Sequence, residues 1–109
     1  MKKNDFVEYV IHDVLKLLPQ VTARPMFGGY GVYQAGVFFA IIVDDVLYFK
    51  VDDTNRADYE KLGSEQFFYP TKKGPMPMAY WNVPEEVMED HKKAAAWAKK
   101  SIAIKKAKK

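Results

Sequence analysis

Apolar positions along this chain follow two periods, one near 3.6 residues and one of 2, and the switch between them divides the fold. From Asp5 the pattern is helical: Phe6, Val10, Val14, Leu17 and Leu18 recur on one face as far as Pro19, and Asp5 with Glu8 three residues on resembles a capping box. The spacing predicts a helix over 5–18. Short β-rich runs follow at 21–27, 31–33, 37–43 and 46–51, separated by Gly28-Gly29, Gln34-Ala35-Gly36 and Asp44-Asp45. Connections that short join only antiparallel neighbours. Asp52, Asp53 and Thr54 offer N-caps for a helix over 54–62, and Gly63 stands where a left-handed residue would end it. Two more strands, 66–71 and 76–83, flank Lys72-Lys73-Gly74-Pro75, which reads as a hairpin loop.

The chain closes in helix. Pro84 suits a first turn because it lacks the N–H that would go unused there, Glu85 and Glu86 complement the dipole, and Asp90 can cap a longer helix from 91. At 100° per residue Lys92, Lys93, Lys99, Lys100 and Lys106 fall on one side, with Ala94, Trp97, Ala98, Ile102 and Ile104 on the other. Lys105 lands in the apolar arc, so 105–109 is expected to be a frayed basic tail. The whole predicts an α+β domain with an antiparallel sheet of five to six strands in the order α-β-β-β-β-α-β-β-α. Strand 37–43 is apolar at both parities, Val37, Phe39, Ile41 and Val43 against Phe38, Ala40 and Ile42, so both its faces need cover. That cover is either the C-terminal helix or a second copy of the protein. In the next strand Leu47, Phe49 and Val51 share one face while Tyr48 and Lys50 point away.

Composition narrows the class. A chain of 109 residues accommodates one domain, here 1–109 with its core over 5–104, and 49% hydrophobic residues rule out intrinsic disorder of the body. The longest apolar run, 37–43, is far short of the roughly 18 residues of a membrane span, and Met1-Lys2-Lys3 leads into Asp5 rather than a signal-peptide core. A cytoplasmic protein without membrane association is expected. Cysteine is absent, which excludes disulfides, thiol nucleophiles and Cys-ligated metal. The net charge of +3 hides an asymmetry: residues 92–109 carry eight lysines and no acid, leaving nine basic against fourteen acidic residues in 1–91. A solvated helix end accounts for the lysines, and nucleic-acid contact through Lys92, Lys93, Lys99, Lys100 and Lys106 would be at most weak and non-specific, because the body repels phosphate.

No catalytic constellation assembles. Arg24-Pro25-Met26-Phe27-Gly28-Gly29-Tyr30-Gly31 is rich in glycine, but it returns to strand, whereas a phosphate loop opens a helix. It reads as a tight turn or bulge with positive φ at one or more of Gly28, Gly29 and Gly31. His12 and His91 lack metal-ligand spacing, Asp44-Asp45 and Asp52-Asp53 fall at turns or caps, and Ser64 and Ser101 lack a nucleophile-elbow context. Tyr48, Lys50, Tyr80 and Trp81 could form an aromatic and cationic sheet face of the kind that binds single strands; with Met76 and Met78 beside them, packing under a helix or at an oligomer interface is the simpler reading.

The order of motifs does carry a resemblance. Arg24 to Gly31, Phe39-Ala40, Leu47-Tyr48-Phe49-Lys50-Val51-Asp52, Phe67 to Tyr69, Met78-Ala79-Tyr80 and Val83-Pro84-Glu85-Glu86-Val87 together resemble the N-terminal domain of the TfoX/Sxy family, competence regulators of naturally transformable bacteria. The resemblance covers about 5–104. It implies a secretion-chaperone-like α+β fold that often pairs into homodimers, and a regulatory or adaptor role toward a protein partner, without catalysis or cofactor. It makes Arg24, Met26, Phe27, Gly28, Gly29, Gly31, Lys50, Tyr80 and Pro84 candidates for structure or recognition, beside Tyr48 from the sheet-face reading. Full-length regulators of the family carry a second, helical domain, which the match does not include, and the lysines after Ile104 depart from the family pattern.

Overall fold

A computed structural model of the chain describes residues 5–26 and 28–104; the readings placed on Phe27, on Lys106 and on the 105–109 tail lie outside them. Six strands, β1 (Val21–Met26), β2 (Gly29–Gln34), β3 (Val37–Val43), β4 (Val46–Lys50), β5 (Gln66–Thr71) and β6 (Gly74–Asn82), form one antiparallel sheet in the order β1-β2-β3-β4-β6-β5. Helices α1 (Asp5–Tyr9), α2 (Arg56–Lys61), α3 (Glu85–Met88) and α4 (His91–Ile102) complete the α+β domain. The N-terminal segment, α2, α3 and α4 gather on one side of the sheet. There Val7, Val10, Val14 and Leu15 meet Val32, Phe39, Phe49, Tyr59, Val87, Ala94 and Ala98 in one buried core.

The first helix departs from its predicted form. It is α-helical only over Asp5–Tyr9 and continues as a π-helical turn over Val10–Val14, with the Leu15 N–H donating to the Val10 carbonyl at 2.9 Å. Widening by one residue moves the inward face. Leu15 becomes fully buried and Leu17, assigned to the core from the 3.6 period, is 50% exposed.

The hairpins follow their turn residues. Ala35-Gly36 and Asp44-Asp45 each take positive φ at both positions, the primed geometry that matches strand twist, and each joins its strands with a two-residue loop. The β5–β6 loop is also shorter than expected, Lys72-Lys73 alone, because Thr71 pairs with Gly74 and β6 begins there. Gly63 is left-handed after α2 as predicted, and Pro84 stands at the N-cap of α3 rather than inside its first turn. Asp90 caps α4, its carboxylate accepting from the Lys92 and Lys93 N–H groups at 3.0 and 3.1 Å.

The strict alternation predicted for β3 fails at a bulge. Pairing with β2 slips between Val32 and Tyr33, so Phe39 is the extra residue. Phe39 and Ala40 both enter the core, and parity inverts beyond them: Ile42 faces the helices, while Phe38 and Ile41 face the opposite side. The helices cover one face of β3. On the other, Phe38 and Ile41 share a groove with side chains of β5 and β6.

Candidate functional site

The side of the sheet opposite the helices holds an apolar groove of about 220 Å³ lined by Phe38, Ile41, Phe67, Tyr69, Met78 and Tyr80. Its shape comes from sheet irregularity. β3 and β5 are three strand spacings apart, about 14 Å in a flat sheet, yet both line the groove. Between Gln66 and Phe68 the β5–β6 register shifts, leaving extra residues on β6 that bend the hairpin inward. The Gln66 side-chain amide donates to the Met78 carbonyl at 2.8 Å and satisfies a backbone acceptor near the irregularity.

Aromatic rings line this face. Tyr33 and Phe38 have centroids 5.2 Å apart, Phe38 and Tyr80 5.9 Å, and Tyr48 and Phe67 4.8 Å. The exposed Arg24 guanidinium lies 5.6 Å from the Tyr33 ring centroid, a cation–π contact at the rim. Burial pushes the Tyr80 hydroxyl pKa up to about 12, with Tyr33 adding to the shift. The Tyr48 pKa is also raised, first by burial and then by the negative charges of Asp44 and Glu65. Both phenols stay protonated at neutral pH and act as amphipathic surface, not as bases. Ile41 is only 2% exposed at the groove floor.

The predicted candidates separate. Tyr48, Lys50 and Tyr80 do share this face, Lys50 and Tyr80 as a cross-strand pair. Trp81 does not: it turns to the helix side, 6.4 Å from the Tyr59 ring. A shared face of all four is excluded, because Trp81 and Tyr80 are adjacent in one strand and oppose each other. Arg24 marks the rim and Met26 packs beside Gly31, where an added Cβ would come within 2.8 Å of the Met26 Cε and 3.0 Å of Phe38. Gly28 is the turn residue, at φ +81. Gly29 is required for a different reason, since a Cβ there would run into the Ile42 carbonyl of the neighbouring strand. With Asp44 and Asp45, Gly28 and Gly29 border an open cleft of about 790 Å³.

On the helix side the Lys50 carbonyl accepts from Asn55 Nδ2 at 3.1 Å and from Ser101 Oγ at 2.7 Å, tying β4 to the start of α2 and to α4. Asn55 Oδ1 in turn accepts from the Asp52 N–H at 2.8 Å. Sequence reasoning missed this node, although Asn55 and Ser101 are the polar members of the buried set. The signal was Ser101 inside an apolar stripe. Nearby, burial pushes the Tyr59 hydroxyl pKa far upward, partly offset by Ser101, yet among the described residues no group meets that hydroxyl with hydrogen-bond geometry.

The titratable groups do not converge. His12 pairs with Glu8 and His91 with Asp13, each at 3.0 Å, and among the described residues no group of three His, Asp or Glu side chains is placed to hold a metal ion. Of the helix lysines, Lys100 bonds Asp58 at 2.8 Å and Lys93 lies 3.8 Å from Glu86, so half of the described basic stripe is neutralised in place. Lys92 and Lys99 project to solvent.

A family model described as the TfoX N-terminal domain matches residues 13–104. The DNA transformation protein TfoX1 of Aliivibrio fischeri (strain ATCC 700601 / ES114) is 31% identical over 71 residues, which cover 65% of this chain and 34% of that protein. The chain thus spans about a third of the length of the curated relative it matches.

Proposed function

Since the chain belongs to the TfoX N-terminal domain family of competence-regulator-like proteins, we propose that it is a small, non-enzymatic interaction module that serves DNA-uptake control by binding a protein partner. The supporting observation is the groove: an aromatic and aliphatic concavity on the helix-free face, with Arg24 and Lys50 near it and, among the described residues, no acid–base or nucleophilic pair in its lining. Apolar concavities with few polar groups are built for binding. The setting is cytoplasmic and the working form a homodimer in this reading; no described helix is long and apolar enough to cross a membrane.

Binding through the basic helix is the rival reading. A flexible lysine stripe neutralising about four phosphates gives a slope near −4 in log affinity against log salt, and two of the four described lysines already face acids. A band shift at about 0.15 M salt is expected to show no sequence preference. A complex that prefers one sequence over competitor DNA, or that survives Lys→Gln changes at 92, 93, 99 and 100, overturns the interaction-module reading.

A further inference from the structure

The sheet has two open edges, β1 and β5, and they differ. None of the large exposed apolar side chains lies on β1, whereas Phe68 and Met76, each 50% exposed, both lie on the β5–β6 hairpin. An open edge with apolar residues exposed beside it is a template for pairing with another chain.

Prolines fix which backbone groups the β5 edge offers. Pro70, Pro75 and Pro77 have no N–H, so Pro70↔Pro75 and Phe68↔Pro77 are the non-hydrogen-bonded pairs of the β5–β6 ladder. The Phe68 N–H and C=O must then point away from β6, to the free edge. At the other end of β5 the Glu65 carbonyl accepts from the Asn82 N–H at 2.9 Å, so Glu65 turns toward β6. The extra residues of the irregularity lie on β6, alternation along β5 is unbroken, and the Gln66 N–H and C=O also point outward. Pro70 offers an outward carbonyl alone.

We propose that this edge pairs antiparallel with the β5 edge of a second copy of the chain, about a two-fold axis at Phe68. With Phe68 on the axis it exchanges both bonds with its own copy, and each Gln66 N–H donates to the partner's Pro70 carbonyl. The missing Pro70 N–H falls at the end of this ladder, where it shortens the pairing without interrupting it. Charge selects the same register. Glu65 comes opposite the partner's Thr71 and beside the partner's Lys72 and Lys73, an acid at one end of the strand meeting bases at the other. A parallel pairing would set Glu65 against its own copy and lysine against lysine. Because Phe67 and Tyr69 line the groove from β5, the two grooves then flank the axis on one continuous sheet, a bivalent surface. This inference rests on the interaction-module reading and names one of its partners.

The chain has no cysteine, so single-cysteine cross-linking is clean. Across an antiparallel pair the Cα atoms lie about 5.5 Å apart, within disulfide reach. Mild oxidation of Phe68→Cys is expected to give a covalent dimer, while Val37→Cys, equally accessible on β3, stays at 12.6 kDa. In sedimentation, Glu65→Lys alone and Lys72→Glu with Lys73→Glu should each weaken association about tenfold, and the three changes combined should restore it. Equal cross-linking of the two cysteine variants, failure of the combined reversal to restore association, or a wild-type monomer at tens of micromolar overturns the proposal. Cross-linking reports pairing whether or not the domain controls DNA uptake, so this inference and the function it rests on fail separately.

Discussion

Three neighbouring glycines serve three different purposes, and alanine should tell them apart. At Gly28 the cost is left-handed backbone, about 1–2 kcal/mol. At Gly29 the added Cβ meets a fixed carbonyl of β3, so strand pairing itself must give and the loss is the largest of the three. At Gly31 the obstacles are side chains rather than backbone, the flexible end of Met26 and the edge of the Phe38 ring, and both can shift by a few tenths of an ångström. Urea unfolding is expected to rank the variants Gly29→Ala below Gly28→Ala below Gly31→Ala. The turn and its positive φ were legible from the glycine cluster; the role of Gly29 was not, because it depends on a strand met only after folding. Tyr80 gives a second check. Its pKa rises from 10.0 to about 12 on folding, so the unfolded chain ionises first: stability is intact below pH 10 and falls as pH rises from about 10 toward 12. Tyr80→Phe should flatten that alkaline decline in part, the remainder coming from Tyr59 and Tyr48, which shift in the same direction.

At the scale of elements, strands and turns were readable because their signals are local. Val37–Val43 and Gln66–Thr71 emerge with the predicted bounds, and Asp90 caps α4 as its position suggested. Asp90→Ala leaves two N–H groups at the start of α4 without their acceptor and should lower stability by about 1 kcal/mol, readable as a lower urea midpoint with an unchanged slope. What the periods could not supply was their interruption. A bulge at Phe39 and a π turn at Val10–Val14 each insert one residue, and one residue reassigns every side chain beyond it. That is why Ile41 lines the groove instead of the core, and why Leu15 replaces Leu17 inside. The groove was legible only as an unplaced group of aromatics, since its walls come from β3, β5 and β6, brought together by the curl of the hairpin.

For the molecule as a whole, the two faces make opposite claims on function. The helix face carries the exposed lysines of α4, two of them paired with Glu86 and Asp58; the sheet face carries the apolar groove. In the proposed function the groove is the working surface. The direct comparison is made in transformable cells that lack their own copy, complemented with the wild-type chain or with one of two variants, scoring uptake of marker DNA. Met78→Lys places a charge in the groove at a half-buried position and should abolish complementation while circular dichroism shows an intact fold. Changing Lys92, Lys93, Lys99 and Lys100 to Gln should leave complementation near the wild-type level. Loss of uptake in the lysine variant, with the Met78→Lys protein still active, contradicts the account.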